Sequence, residues 1–189
     1  MSLSLIKGQR IDLTKGSALK KIFLGLGWDV ADDDDEEVDI DASCVLLGAQ
    51  KRPVDDGAVF FANLENGNGS IRHGGDNLTG DGDGDDEVIE VDLADVPAEI
   101  EHLVFVITSY SGHTFNQVRN AFCRVVDAVS RRELARYAMS GAGHHRALIA
   151  ARVYRHQGDW KMQALGVPAD GVEEDCTFAD IMDDVVRAF

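Results

Sequence analysis

The sequence predicts a mainly β fold, an antiparallel β-sandwich that ends in a short amphipathic helix. Short runs of apolar and β-branched residues recur along the chain, and clusters of Gly, Pro, Asp and Asn separate them. The chain has 189 residues, of which 44% are hydrophobic. A chain of that length buries enough apolar surface to fold as one domain without a disulfide or a structural metal.

Seven segments fit β-strands on these criteria. They are residues 22–28, 42–48, 58–62, 88–93, 103–108, 147–155 and 160–165. Residues 103–108 form one continuous apolar run, which is typical of a strand buried on both faces. The last two segments flank His156-Gln-Gly-Asp159, a sequence that favours a hairpin turn.

Two segments carry apolar residues at both helical and strand spacing. These are residues 115–126 and residues 147–155. We interpret both mainly as strands, and we predict a short helical turn at residues 115–118.

The C-terminal segment has a helical pattern. Thr177-Phe-Ala-Asp180 resembles a capping box, in which Thr177 and Asp180 satisfy free N–H groups of the first turn. Apolar residues then fall on one helical face, namely Phe178, Ile181, Met182, Val185, Val186 and Phe189. We therefore divide the chain into a sandwich over residues 1–166 and, over residues 167–189, a linker and a helix. That helix either packs on the sandwich or docks a partner.

Charge and composition exclude several classes of function. The net charge is −16, which argues against nucleic acid and against an anionic membrane surface as partners. No apolar run of about 18 residues is present, and the N-terminus lacks the pattern of a signal peptide. We therefore expect a cytoplasmic protein with no transmembrane segment. Its cysteines, Cys44, Cys123 and Cys176, are expected to be reduced thiols that pack as small hydrophobic side chains.

A glycine-rich acidic segment, residues 74–87, carries the clearest chemical signal. Its oxygen-bearing side chains are Asp76, Asn77, Asp81, Asp83, Asp85, Asp86 and Glu87, and glycine stands at positions 74, 75, 80, 82 and 84. Calcium takes about six to eight oxygen ligands, and glycines let a backbone curl so that alternate oxygens converge. Because neighbouring carboxylates repel one another unless a cation lies between them, the segment predicts a calcium site.

A second acidic cluster lies between two predicted strands. Asp29 closes the first strand, and Asp39 and Asp41 open the next, where they face the same side. Asp39 and Asp41 are thus positioned to present two carboxylates at a rigid sheet edge. The acidic run between them and Asp29, residues 32–37, is interpreted as a solvated turn. Neither cluster is an EF-hand, since Asp86 and Asp92 stand where a loop starting at residue 81 needs Gly and Glu.

Six segments in order over residues 1–166 carry a family resemblance. They are Gly25-Leu-Gly-Trp-Asp29, Val38-Asp-Ile-Asp-Ala-Ser43, residues 75–87, Phe115-Asn-Gln-Val-Arg-Asn-Ala-Phe122, Glu133-Leu-Ala-Arg-Tyr137 and Tyr154-Arg-His-Gln-Gly-Asp-Trp-Lys161. In them the chain resembles the TerD family of tellurite-resistance and general stress proteins. The resemblance implies a bacterial cytoplasmic β-sandwich that binds calcium, commonly two ions, in loops at one end. It also implies partners among other stress-response or tellurite-resistance proteins, some of them membrane-bound.

The same resemblance implies a set of metal ligands. The first choices are Asp76, Asn77, Asp83, Asp85, Asp86 and Glu87. The second choices, from the other loop, are Asp29, Asp39 and Asp41. The chain departs from the family pattern after Gly166, where relatives often continue with a glycine-rich tail and this chain continues to its predicted helix.

Two classes of function follow. The first is a stress-response protein of the tellurite-resistance type that acts as a calcium-stabilised binding or scaffolding module. The alternative is a metal-dependent hydrolase acting on a phosphoester or nucleotide-like ligand. No nucleophile-elbow or phosphate-loop motif is present, so no catalytic residue is assigned. A reaction of the cysteines with tellurium oxyanions is also disfavoured, because nothing in the sequence around them indicates a lowered thiol pKa.

Overall fold

The protein is a sandwich of two six-stranded sheets in the part of the chain that the structure describes. The structure is a computed structural model that describes residues 3–4, 7–16, 19–29, 38–80, 84–139, 143–170 and 177–189. The mainly β fold predicted from the sequence is thereby confirmed. Among these residues there is no helix long and apolar enough to cross a membrane.

Twelve strands and one helix make up the described fold. The strands are β1 (Leu3–Ser4), β2 (Arg10–Asp12), β3 (Lys21–Asp29), β4 (Ile40–Leu47), β5 (Pro53–Val59), β6 (Ile71–His73), β7 (Glu87–Asp92), β8 (His102–Ser109), β9 (Arg119–Asp127), β10 (Glu133–Ala138), β11 (Ala147–His156) and β12 (Asp159–Ala169). The helix is α1 (Met182–Arg187).

As the chain advances, it changes sheet after every one or two strands. The first sheet has the order β1-β10-β9-β3-β7-β6, and the second has the order β2-β12-β11-β8-β4-β5. Neighbouring strands are antiparallel, apart from the parallel pair β1 and β10. Strands β3 and β4 are consecutive but lie in opposite sheets. The end of β3 and the residues before β4 meet at one end of the sandwich, where Nε1 of Trp28 donates to the carbonyl oxygen of Val38 at 3.0 Å.

The core fills the space between the sheets. In β3 the alternate residues Ile22, Leu24, Leu26 and Trp28 face inward. In β4 the facing set is Ile40, Ala42, Cys44 and Leu46. Fully burying an aliphatic or aromatic side chain of this size contributes about 1.5–3 kcal/mol, so this core is the main stabilising term of the fold.

The second sheet is also apolar on its outer face. Val45 and Leu47 of β4 and Val104 and Val106 of β8 point away from the core, and the segment of α1 covers them. Buried residues of the helical segment are Ile181 and Val185, with Phe178, Met182 and Phe189 packed around them. Strands β4 and β8 are therefore buried on both faces, which explains the unbroken apolar run predicted at residues 103–108.

Most predicted strands lie where the sequence placed them, and the hairpin turn between β11 and β12 is confirmed. Residues 115–117 form a turn before β9, as predicted. The prediction for residues 58–62 was wrong in position, because the strand is Pro53–Val59 and residues Phe60 to Asn63 close a turn. Strands β1, β2, β6 and β10 were missed, because the first three have only two or three residues and charged residues interrupt the apolar alternation in β2, β6 and β10.

The helix begins later than its capping pattern indicated. Asp180 does accept hydrogen bonds from the N–H and the hydroxyl of Thr177, at 2.8 and 3.1 Å. These bonds close a turn that precedes α1, whose own N-cap, Ile181, makes no side-chain capping bond. The stability of α1 must therefore come mainly from its packing on the second sheet.

Ile181 is fully buried between α1 and the second sheet. We expect Ile181→Ala to lower the free energy of unfolding by about 2–4 kcal/mol, because the truncation removes apolar contacts and leaves a cavity. Urea denaturation measures this change. The exposed Asp184→Ala on the same helix is the control, and its effect should stay below about 0.5 kcal/mol. Equal unfolding midpoints for the two variants would contradict the packing role.

Candidate metal centre

Three carboxylates converge at one end of the sandwich, where β3 ends and β4 begins. Asp39 and Asp41 lie at the start of β4, and Asp76 lies in the loop that follows β6. One carboxylate oxygen from each lies within 4.8 Å of the other two. Two unit charges at about this distance repel by roughly 3 kcal/mol at an effective dielectric constant of about 20. The arrangement is therefore costly unless a proton or a cation reduces the charge.

Asp41 bears most of this cost. Its side chain is nearly buried, with only 4% of the residue exposed. The pKa of Asp41 is raised to about 8, chiefly by burial and then by the charges of Glu87, Asp39 and Asp76, in that order. Without a cation, the folded protein therefore holds a proton on Asp41 at neutral pH.

Asp39 is held by the backbone of a neighbouring loop. Its carbonyl oxygen accepts a hydrogen bond from the N–H of Tyr110 at 3.0 Å, and its own N–H donates to the hydroxyl of Ser111 at 3.0 Å. The segment after β8 thus fixes the entry of β4, and with it the direction of the Asp39 side chain.

Glu87, the first residue of β7, links the two sheets through hydrogen bonds next to the cluster. One of its carboxylate oxygens accepts the N–H of Ala42 in β4 at 2.7 Å. The other accepts the N–H of Asn77 at 3.3 Å. A carboxylate in the first sheet therefore ties down both the second sheet and the acidic loop.

His73 packs against the same carboxylate. Its Nε2 lies 3.3 Å from the nearer oxygen of Glu87, and both side chains are fully buried. The other ring nitrogen, Nδ1, accepts the N–H of Gly75 at 3.1 Å. Nδ1 is thus the acceptor of this ring, while Nε2 makes no hydrogen bond within the described residues.

Asp86 and Asp29 form a second acidic group. Asp86 accepts a hydrogen bond from the N–H of Trp28 at 2.8 Å. Burial raises the pKa of Asp86, the Trp28 hydrogen bond partly offsets that rise, and the charges of Asp29, Asp85 and Glu87 add to it. The Asp29 carboxylate in turn accepts a hydrogen bond from the side-chain amide of Asn120. The charge of Glu87 raises the pKa of both Asp41 and Asp86.

Two glycines of β3 make room for the acidic loop on the outer face of the first sheet. A Cβ at Gly25 would lie 2.3 Å from the carboxylate carbon of Asp85. A Cβ at Gly27 would lie 2.4 Å from the carbonyl oxygen of Gly84 and would also meet the ring of Phe122. The loop therefore rests directly on the backbone of β3. A larger residue at either position would prevent this contact.

Asp85 is neutralised by a cation of the protein itself. The guanidinium of Arg124, opposite Gly25 in β9, donates to both of its carboxylate oxygens, at 2.8 and 2.9 Å. Such a two-point pair is stronger than an exposed ion pair, and Asp85 is largely buried. Asp85 therefore clamps the loop to the sheet.

Asn77 likewise organises the loop. Its amide oxygen accepts the N–H groups of Thr79 and Gly80, at 3.1 and 3.0 Å. Gly80 has a φ of 64° and lies so close to the indole of Trp28 that a Cβ would be 2.4 Å from its Nε1. That Nε1 donates to the carbonyl oxygen of Val38 at 3.0 Å. The loop is thus folded around Trp28.

The structure therefore sorts the predicted ligands into groups. Asp39, Asp41 and Asp76 converge in one group, and Asp29 and Asp86 form a second. Glu87 accepts backbone N–H groups beside the first group. Asp85 and Asn77 use their oxygens to hold the loop. Asp83, together with Asp81 and the acidic run at residues 32–37, lies outside the described residues.

Sequence reasoning missed the residues that support the carboxylates, chiefly His73, Ser111 and Arg124. The only available signal was their type, since a charged residue such as Arg124 is unexpected in the middle of an apolar strand. The cysteines agree with their predicted role where the structure describes them. Burial raises the pKa of the Cys44 and Cys123 thiols, which are therefore not reactive thiolates.

Comparison with known proteins points to one family. The profile of the TerD domain matches residues 1–175 of the chain. Tellurium resistance protein TerZ of Serratia marcescens is 40% identical over 98% of the chain and 100% of its own length. General stress protein 16U of Bacillus subtilis (strain 168) is 44% identical over 88% of the chain and 90% of its own length. Tellurium resistance protein TerD of Serratia marcescens is 39% identical over 88% of the chain and 90% of its own length.

A solved structure shares the fold. The crystal structure of a homologue of telluride resistance protein from Streptomyces coelicolor A3(2) superposes with a TM-score of 0.70. It is 24% identical and covers 81% of this chain and 92% of its own. At that identity the likeness supports the sandwich architecture and nothing finer.

The close approach of the Gly84 carbonyl oxygen to Gly27 allows a test of how the acidic loop is held on β3. We expect Gly27→Ala to lower the free energy of unfolding by about 1–3 kcal/mol, because the new methyl group overlaps a backbone carbonyl that cannot rotate away. Gly48→Ala is the control, since its Cβ would meet the nearest atom at an acceptable 3.4 Å. Thermal and urea denaturation measure both variants, and equal losses would contradict the close approach.

The raised pKa of Asp41 predicts a pH dependence of the metal-free protein. The folded state binds this proton more tightly than the unfolded chain, so the stabilisation is present at low pH. It is lost as the pH rises from about 4, the unfolded value, to about 8, the folded one. One such group changes the free energy of unfolding by at most about 1.4 kcal/mol per pH unit.

Urea denaturation in a chelator between about pH 5 and pH 8 measures this slope. Asp41→Asn should flatten the curve, because the amide does not titrate. The exposed Asp95→Asn should leave the slope as in the wild type. If Asp41→Asn retains the full wild-type slope, Asp41 is not the titrating group.

Proposed function

Because the chain belongs to the TerD family, we propose that it is a calcium-binding stress-response protein of the tellurite-resistance type. Its relatives in Serratia marcescens are named for tellurium resistance, and one in Bacillus subtilis is named as a general stress protein. The proposed biochemical role is that of a calcium-stabilised binding or scaffolding module. No group of side chains in the described residues favours the hydrolase alternative over this role.

The convergence of Asp39, Asp41 and Asp76 is the observation that carries the proposal. Calcium binds oxygens at about 2.3–2.6 Å, so two oxygens on one ion lie at most about 5 Å apart. The three carboxylates meet that condition, at 4.8 Å or less. All three donors are oxygens, which calcium prefers and which zinc or copper sites do not usually consist of.

The burial of Asp41 also supports a bound cation. A cation between the carboxylates replaces the proton that would otherwise neutralise Asp41, and it turns the repulsion among three negative charges into attraction. Calcium also tolerates irregular loop geometry, which suits a site drawn from one strand and one loop, whereas magnesium demands a near-ideal octahedron.

We further propose a second ion near Asp29 and Asp86. These two carboxylates are close enough that the charge of Asp29 raises the pKa of Asp86. Asp83, the neighbouring residue of the sequence motif, is the third ligand proposed here. In this scheme Glu87 supports both sites, while Asp85 and Asn77 hold the loop that presents the ligands.

Calcium at these positions would order one end of the sandwich as a binding face. Two large apolar side chains flank the carboxylates in exposed positions, Leu78 at 55% and Tyr110 at 41% exposure. An ordered loop with exposed apolar residues suits protein recognition, because little entropy is lost when a partner binds. The proposed partners are other stress-response or tellurite-resistance proteins, including membrane-bound ones.

Calcium titration by calorimetry on chelator-treated protein tests the proposal. We expect saturable binding of two ions to the wild type. Asp41→Asn should remove one binding event and leave the other, and Asp86→Asn should do the reverse, because the two residues belong to different sites. Asp95→Asn makes the same change of charge at an exposed position away from the loops and should retain both events.

The same samples give a second readout in thermal denaturation. At free calcium of about 100 times the dissociation constant, the folded wild type should gain about 2.7 kcal/mol for each bound ion. A wild-type melting temperature that is equal in chelator and in calcium, together with no heat of binding, would overturn the proposal.

A further inference from the structure

The outer face of the second sheet has two different halves. The half formed by β4, β8 and the ends of β11 and β12 is apolar and is covered by the segment of α1. The other half, over β2, β12 and the end of β11, carries polar and basic side chains that line an open groove. The lining residues are Arg10, Ile11, Asp12, Arg152, Tyr154, His156 and Lys161.

The strand register sets these side chains in rows. Arg10 of β2 is opposite Gln163 of β12, and Gln163 is opposite Arg152 of β11. In the next row, Asp12 is opposite Lys161, which is opposite Tyr154. Their sequence neighbours Met162 and Val153 face the core, so both rows point outward.

The groove has an excess of positive charge. Its one acid, Asp12, pairs with Lys161 at 3.1 Å. Among the described residues, no carboxylate forms an ion pair with Arg10 or Arg152. Burial lowers the pKa of Arg152, and the nearby charge of Arg10 lowers it further. Arg10 and Arg152 thus line the same groove in a chain that has 34 acidic and 18 basic residues.

Arg152 is fixed in its position. Its guanidinium lies over the ring of Tyr154 at 4.2 Å and over the ring of Phe189 at 4.3 Å. Its Nε donates to the side-chain oxygen of Gln163 at 3.0 Å. The terminal nitrogens of this guanidinium are thereby pre-oriented, and less entropy is lost when they bind an anion.

The acidic end of the molecule lies far from this groove. Asp41 is opposite Thr108, whereas Tyr154 is opposite His102, six residues away along β8. That separation is about 20 Å. Since the Debye length is about 8 Å at physiological ionic strength, the field of the acidic loops is largely screened at the groove.

We propose that this groove binds a phosphate group, carried by a small soluble molecule or by a lipid headgroup. The open groove has a volume of about 340 Å³, which suits a small ligand. Strands β2 and β11 are separated by β12, so they lie about 10 Å apart. A phosphate above Gln163 would receive the forked donors of Arg10 and Arg152 from opposite sides, and Lys161 would add a positive charge from the next row.

The test is a titration of the protein with inorganic phosphate, monitored by protein NMR in the presence of a chelator and at constant ionic strength. The chelator makes the result independent of the proposed calcium sites. We expect saturable shifts of groove residues in the wild type. Arg10→Gln removes an exposed donor and should weaken binding about tenfold, which corresponds to roughly 1.4 kcal/mol.

Arg72→Gln is the matched control, since Arg72 is an exposed arginine of the first sheet that pairs with Glu65 at 3.3 Å. It should leave phosphate affinity unchanged. No saturable shift in the wild type, or an equal loss in both variants, would overturn the proposal.

A second arm identifies the source of the phosphate. Co-sedimentation compares vesicles of phosphatidylcholine alone with vesicles that also contain phosphatidate. Binding only to the phosphatidate vesicles, weakened by Arg10→Gln and not by Arg72→Gln, assigns the groove to a lipid headgroup. Saturable binding of inorganic phosphate without vesicle binding assigns it to a soluble ligand.

Discussion

The buried carboxylate of Glu87 is the link on which the acidic end of the sandwich depends. It belongs to the first sheet, yet it accepts a backbone N–H from the second sheet and another from the acidic loop. A buried charge is tolerated only when donors surround it, and these bonds supply them. Glu87 therefore joins the first sheet to the second sheet and to the acidic loop at this end of the sandwich.

A second constraint is steric and concerns the outer face of the first sheet. Gly25 and Gly27 leave the backbone of β3 bare, so the segment at residues 84–86 lies directly on it. Arg124 then fixes Asp85 from the neighbouring strand. Two acids that are adjacent in sequence thus have different roles, because Asp85 already has its cation while Asp86 faces further carboxylates.

These contacts explain how far the sequence could predict the fold and the site. Apolar runs placed the inner strands, since burial leaves a pattern that can be read locally. The edge strands β2 and β6 are short and charged, and only their pairing reveals them. Composition located the acidic loops, but it could not distinguish a free carboxylate from a clamped one. The partner of Asp85 lies 39 positions away, and only the folded sheet brings it near.

The covered outer face of the second sheet has a consequence for the evolution of related chains. Val45, Leu47, Val104 and Val106 are buried here only because the segment of α1 lies over them. A relative that ends after the strand equivalent to β12 would expose this patch to water, which favours self-association. The C-terminal helix and these four positions should therefore vary together, with polar residues or a subunit interface replacing the patch wherever the helix is missing.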